Sequence, residues 1–235
     1  MTERSRLTLV PVLLLAFVLA GCANTHKDRH RAAKPSYTFV FIKTGPATDL
    51  TEEQQQEAFA GHFSNMSRMA QAGQLLIAGP FADPKADENH RGLWVFDTPD
   101  TDTALEYGAT DPAVDVGIFV LEAHRLSTKA PLRDLVQMNK DDQARREREP
   151  EGQTPPVRAY MLATRAWAEP FAIRAREADG VIFQARLHGS SPDGGDEIIV
   201  WLDVEGPDEA DAILPEPESW TLHGWWGSQV VAELP

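Results

Sequence analysis

The chain has 235 residues, 42% of them apolar and 25% charged, which is enough apolar material for a sizeable core and excludes a disordered chain. Acidic side chains number 36 against 22 basic ones, a net charge of −14 that argues against nucleic acid as a partner. A single cysteine excludes a disulfide framework and every multi-cysteine metal site.

In chain order, residues 1–21 read as a targeting segment. Arg4 and Arg6 precede an apolar run from Leu7 to Ala20 that is too short for a comfortable membrane span. The run ends in Leu19-Ala20-Gly21-Cys22, which resembles the bacterial lipobox. That resemblance implies removal of residues 1–21 and acylation of Cys22. Each acyl CH₂ buried in a bilayer contributes about 0.8 kcal/mol, so several chains make a lasting membrane anchor. A plain secretory peptide with an incidental cysteine, or an uncleaved anchor, is the alternative. Ala23 after the cysteine points to the outer membrane of a Gram-negative cell, so the expected location is the cell envelope, facing the periplasm. Residues 22–36 are a polar tether carrying Lys27, Arg29, Arg31 and Lys34.

Tyr37 to Lys43 is aromatic and β-branched and predicts a strand. Thr51 and Gln54 form a capping-box pair that opens a helix, and Gly73 ends it as the C′ glycine. Phe59, Phe63, Met66 and Met69–Ala70 follow a 3.6-residue stripe along this helix. Leu75–Ala78 and Gly92–Phe96 read as strands, Thr101–Ala109 as a short helix, and Gly117–Leu126 as a fourth strand. The order is β-α-β-β-α-β, a ferredoxin-like unit, over residues 37–128. Residues 129–156 read as a charged linker with a helical start at Pro131–Arg148. The same order returns in residues 157–235, with strands at Val157–Thr164, Gly180–Leu187 and Glu197–Asp203, helices at Glu169–Ala178 and Asp208–Leu214, and a long last strand at Trp220–Leu234 marked by an irregularity near Gly224 or Gly227. The fold class is therefore α+β, with tandem ferredoxin-like units whose sheets pack face to face as an intramolecular pseudo-dimer of the dimeric α+β-barrel kind.

The first unit resembles the YCII-related family over roughly Tyr37 to Leu126. The resemblance rests on the opening strand Tyr37–Lys43, His62, Gln71-Ala-Gly-Gln-Leu-Leu-Ile-Ala-Gly-Pro80, Arg91-Gly92 and Asp111-Pro112. It implies a dimeric α+β-barrel fold and a His–Asp dyad, here His62 and Asp111, in a pocket between sheet and helices. Relatives of the same fold act as isomerases, lyases and dehalogenases on small ring compounds.

The residues themselves support two readings. His62 lies on the apolar stripe, and a buried imidazole needs a partner. A carboxylate on one nitrogen would fix the tautomer and leave the other nitrogen as a general base. Asp111, in the loop that Asp-Pro creates, is the candidate carboxylate. The alternative is a core histidine bonded to a backbone carbonyl, with Asp111 capping a turn. Gly79-Pro80 reads as a rigid turn after the second strand where backbone approaches a ligand. Arg91 would meet an anionic group, and Tyr37 would line the pocket; ordinary packing and solvation are the alternatives for each.

The second unit departs from the family, with Glu169 at the place of His62, Arg186-Leu187 at the place of Gly79-Pro80, and no Asp-Pro pair. Its five tryptophans read as packing. Phosphate loops, nucleophile elbows and metal-ligand spacing are absent, so neither cofactor nor metal is expected. The expected function is a membrane-anchored envelope lipoprotein with a cofactor-free acid/base site of isomerase or lyase type for a small organic molecule. A non-catalytic binding protein or a structural envelope protein is the alternative.

Overall fold

The computed structural model describes residues 36–149, 155–168 and 179–235. The targeting segment, Cys22, nearly all of the tether, residues 150–154 of the linker and the helix expected at Glu169–Ala178 lie outside the described residues.

Strands β1 (Tyr37–Thr44), β2 (Leu75–Ala82), β3 (His90–Phe96) and β4 (Phe119–Thr128) belong to the first half of the chain. Strands β5 (Val157–Ala166), β6 (Val181–His188), β7 (Glu197–Leu202) and β8 (Thr221–Ser228) belong to the second. They close into one antiparallel barrel in the order β1-β3-β2-β8-β5-β7-β6-β4. Each half thus contributes corresponding neighbours, β4-β1-β3-β2 and β8-β5-β7-β6. The two halves are hydrogen-bonded to each other along both edges: β4 pairs with β6 and β2 with β8. Closure removes the exposed strand edges that two separate sheets would keep.

The strands are apolar on both faces because both faces are covered. A single core cluster draws on all eight strands, among them Phe39, Leu93, Tyr160, Leu162, Trp201 and Trp225, and fills the barrel. Val40, Ile42, Trp94 and Phe96 point the other way, beneath α1 (Glu52–Gln71), α2 (Thr101–Gly108) and α3 (Pro112–Asp115). On the second half, Met161, Ala163, Ile198 and Val200 pack outward with Ala210 of α5 (Pro207–Ile213).

The capping box at Thr51 and Gln54 opens α1, with both reciprocal bonds present. Ala72 caps the helix and Gly73 follows at φ +72°. The buried stripe of α1 is Ala58, His62, Asn65 and Met69, whereas Phe63, expected on that stripe, is 64% exposed.

The helix expected at the start of the charged linker is α4 (Asp134–Arg148), and its Leu135, with Leu132 just before it, is fully buried in the barrel core. Two expectations of the second half are corrected. The long final strand stops at Ser228, after which residues 229–233 form a 3₁₀ turn whose Val230 and Val231 join the same core. No irregularity arises at Gly224 or Gly227 on the β5 side, where β8 pairs with β5 without a shift from Val157↔Ser228 to Thr164↔Thr221.

Candidate functional site

The polar pair on the buried face of α1 is placed by a close helix contact. A Cβ on Gly61 would come within 2.6 Å of the Pro112 ring, so only a glycine lets α3 lie this near α1. The residues following each, His62 and Ala113, then sit beside Asp111. His62 Nδ1 and Asp111 Oδ2 are 3.0 Å apart, with His62 7% exposed and Asp111 fully buried. The carboxylate accepts two further bonds, from Asn65 Nδ2 at 3.3 Å and, through Oδ1, from the Ala113 backbone N–H at 3.0 Å. The second of these is also the N-cap of α3, with Pro112 at its first position.

Asn65 extends the pair outward. Its Oδ1 accepts from Arg68 Nη2 at 2.7 Å, and Arg68 also donates to Thr110 Oγ1 at 3.0 Å. One amide therefore links a buried carboxylate to a guanidinium nearer the surface. Beneath the imidazole, Trp94 stacks with its ring centroid 5.7 Å away, and its Nε1–H donates to Met66 Sδ at 3.3 Å. Phe119 closes one edge at 5.3 Å and Phe63 another at 5.5 Å.

In the neutral tautomer that donates Nδ1–H to Asp111, Nε2 carries no proton, and among the described residues nothing hydrogen-bonds to it. Such an imidazole can accept a proton at Nε2 while Asp111 holds its orientation. The side chain keeps 9% of its surface.

The other expected site residues are elsewhere. Tyr37 is buried in the barrel core with the Arg133 guanidinium 5.1 Å over its ring, and burial pushes its hydroxyl above the usual tyrosine range. Gly79 and Pro80 lie inside β2, not in a turn after it, and a Cβ on Gly79 would fall 1.9 Å from the Trp226 carbonyl oxygen. The backbone that approaches Gly79 is therefore β8. Arg91 is exposed near the start of β3. His62 and Asp111 are the two the fold brings together. Asn65, Arg68 and Thr110 were not anticipated; the available signal was an asparagine three residues after His62, on the same helix face.

The fold also assembles two polar groups that are distant in sequence. His90, His124 and His223 gather about Phe41 and Phe81, with centroid distances from 4.4 to 6.0 Å. Burial, reinforced by His90, pushes His223 down to about 4. Glu122 accepts from Lys43 and contacts His124 at 2.9 Å each, and the Lys43 bond keeps its carboxyl below the usual range. On the β4–β6 seam, Ser127 Oγ lies 2.7 Å from His188 Nε2, and His188 Nδ1 lies 3.4 Å from Asp196 Oδ2. The order resembles a nucleophile, base and orienter. However, Ser127 is 6% exposed within a paired strand, and Arg186 already holds Asp196 at 2.5 Å, so the row serves to tie the seam.

The family model for the YCII-related domain matches residues 37–123. Two solved structures are similar in outline: siroheme decarboxylase NirDL, and the same protein in co-complex with an iron-uroporphyrin III analogue. Each is 11% identical over 83% of this chain and 72% of the other, with TM-scores of 0.43 and 0.41 respectively. No curated protein sequence matches the chain.

Proposed function

With residues 37–123 forming a YCII-related domain, we propose that the protein is a lipid-anchored envelope protein whose first half carries an acid–base site for a small organic molecule. His62 is the base through Nε2, and Asp111 is the group that orients it. The observation that carries this reading is the 3.0 Å contact of His62 with a fully buried carboxylate, itself held by Asn65 and Ala113. The chemistry is proton transfer of the isomerase or lyase type and asks for no cofactor. The two halves are tandem ferredoxin-like units acting as an intramolecular pseudo-dimer, a reading supported by their corresponding strand orders. The anchor is the acylated Cys22, and the protein faces the periplasm. None of the described helices is long and apolar enough to cross a membrane, so this part of the proposal rests on the sequence of residues 1–22.

Proton transfer is tested by incubating the full chain in D₂O with small cyclic ketones and lactones and following deuterium uptake by NMR. Catalysed exchange that falls about 100-fold in His62→Gln supports the reading. Equal exchange in wild type and variant overturns it. The anchor is tested separately by detergent partitioning of wild type and Cys22→Ser, where equal partitioning removes it.

One observation favours a second, non-catalytic reading. Asp111 has no exposed surface, and its three bonds fasten α1 to α3. On that reading the pair is a structural pin, and replacing it changes stability alone.

A further inference from the structure

We propose that the half-open seam between β2 and β8 is a binding site for a compact, flat, apolar molecule bearing one carboxylate. The barrel's two seams are unequal. β4 and β6 pair over four registers, from Arg125↔His188 to Thr128↔Ala185, whereas β2 and β8 pair only at Phe81↔Trp225 and Ala82↔Gly224. Both strands continue beyond that contact, β2 back to Leu75 alongside β3 and β8 on to Ser228 alongside β5. They do not pair with each other there. Gly79 and Pro80 stand at the fork: Gly79 lets the β8 backbone come close, and Pro80 has no N–H to offer a ladder.

The wedge is a cavity of about 420 Å³ between α1 and α4, within the size range of small-molecule sites. Leu76, Ile77 and Trp225 line it from the barrel, Phe63 and Met66 from α1, and Lys140 from α4. Rings and a thioether on these walls favour a flat apolar body. One charged feature sets the rest of the ligand, since the unpartnered Nε1–H of Trp225 is covered by Gly79 and does not open to the wedge. Lys140 is the only charged side chain on the lining and forms no ion pair among the described residues, in a chain of net charge −14. An apolar body and a negative charge together describe an aromatic or alicyclic carboxylate. Neither α4 nor β8 belongs to residues 37–123, so the groove is made jointly by the family-matched unit and the remainder of the chain. It does not depend on the role of His62.

The test is calorimetric titration of 1-naphthoate into the full chain in nanodiscs, with empty nanodiscs as blank and 1-naphthalenemethanol as the uncharged probe. The proposal expects saturable one-to-one binding of the acid and roughly tenfold weaker binding of the alcohol. Lys140→Gln should bring the acid to the affinity of the alcohol. Ala70→Trp, at an exposed position on the lining, should abolish binding while circular dichroism stays unchanged. No saturable binding, binding that survives Ala70→Trp, or equal affinity for acid and alcohol each overturns the proposal.

Discussion

Asp111 accepts hydrogen bonds from His62, Asn65 and the Ala113 backbone without any contact with solvent. Removing it strands three buried donors, and a buried polar network cut in this way costs about 3 kcal/mol. Asp111→Ala should therefore lower the urea midpoint by that equivalent with the m-value unchanged; a loss below about 1 kcal/mol would contradict the described network. Gly61→Val tests the geometry behind the pair, since its side chain would collide with the Pro112 ring and push α3 away. The expected result is loss of the His62–Asp111 bond, seen as faster solvent exchange of the Nδ1 proton. His223 supplies a pH dependence of definite sign. Above about 6.5 it is neutral in both the folded and the unfolded chain. Between there and about 4 the unfolded chain binds a proton that the folded chain refuses, so stability falls as pH drops. The loss is at most about 3 kcal/mol across that window. Burial lowers His90 in the same direction, so His223→Phe should flatten the profile without abolishing its slope.

Among the elements, α4 was legible as a helix, but its packing into the core was not. Leu135→Ala should cost about 2–5 kcal/mol if the helix is part of the barrel, and nothing measurable in thermal melts if the segment is a tether. The reason is local: Leu132, Leu135, Val136 and Met138 precede a run of charges, so a long window averages them away. β2 was read short because Pro80 looks like a strand end. The strand tolerates it because no β8 ladder reaches that far back. By contrast, β1 and α1 were legible, one through its unbroken aromatic and β-branched run, the other through Thr51, Gln54 and Gly73. His62 was legible as a buried imidazole and Asp111 as its partner. Asn65 was not, because an asparagine within a helix reads as a solvated residue until the fold shows which face is covered.

At the scale of the whole molecule, the two halves close one barrel around one core, and the helices of the first half carry the His–Asp pair. Periodicity in the sequence could order the strands within each half, but not the seams, because edge pairing between halves depends on contacts 57 to 144 residues apart. A lone first half would bare the β2 and β4 edges together with the inward faces of Phe39, Phe41 and Leu93. Such a surface recruits a second copy. The most direct measurement is therefore the solution mass of residues 37–128 by analytical ultracentrifugation, alone and with residues 157–235 added in trans. The account predicts a self-associated species for the fragment alone and a one-to-one complex when both are present. A stable monomer of residues 37–128 that ignores the second half would contradict it.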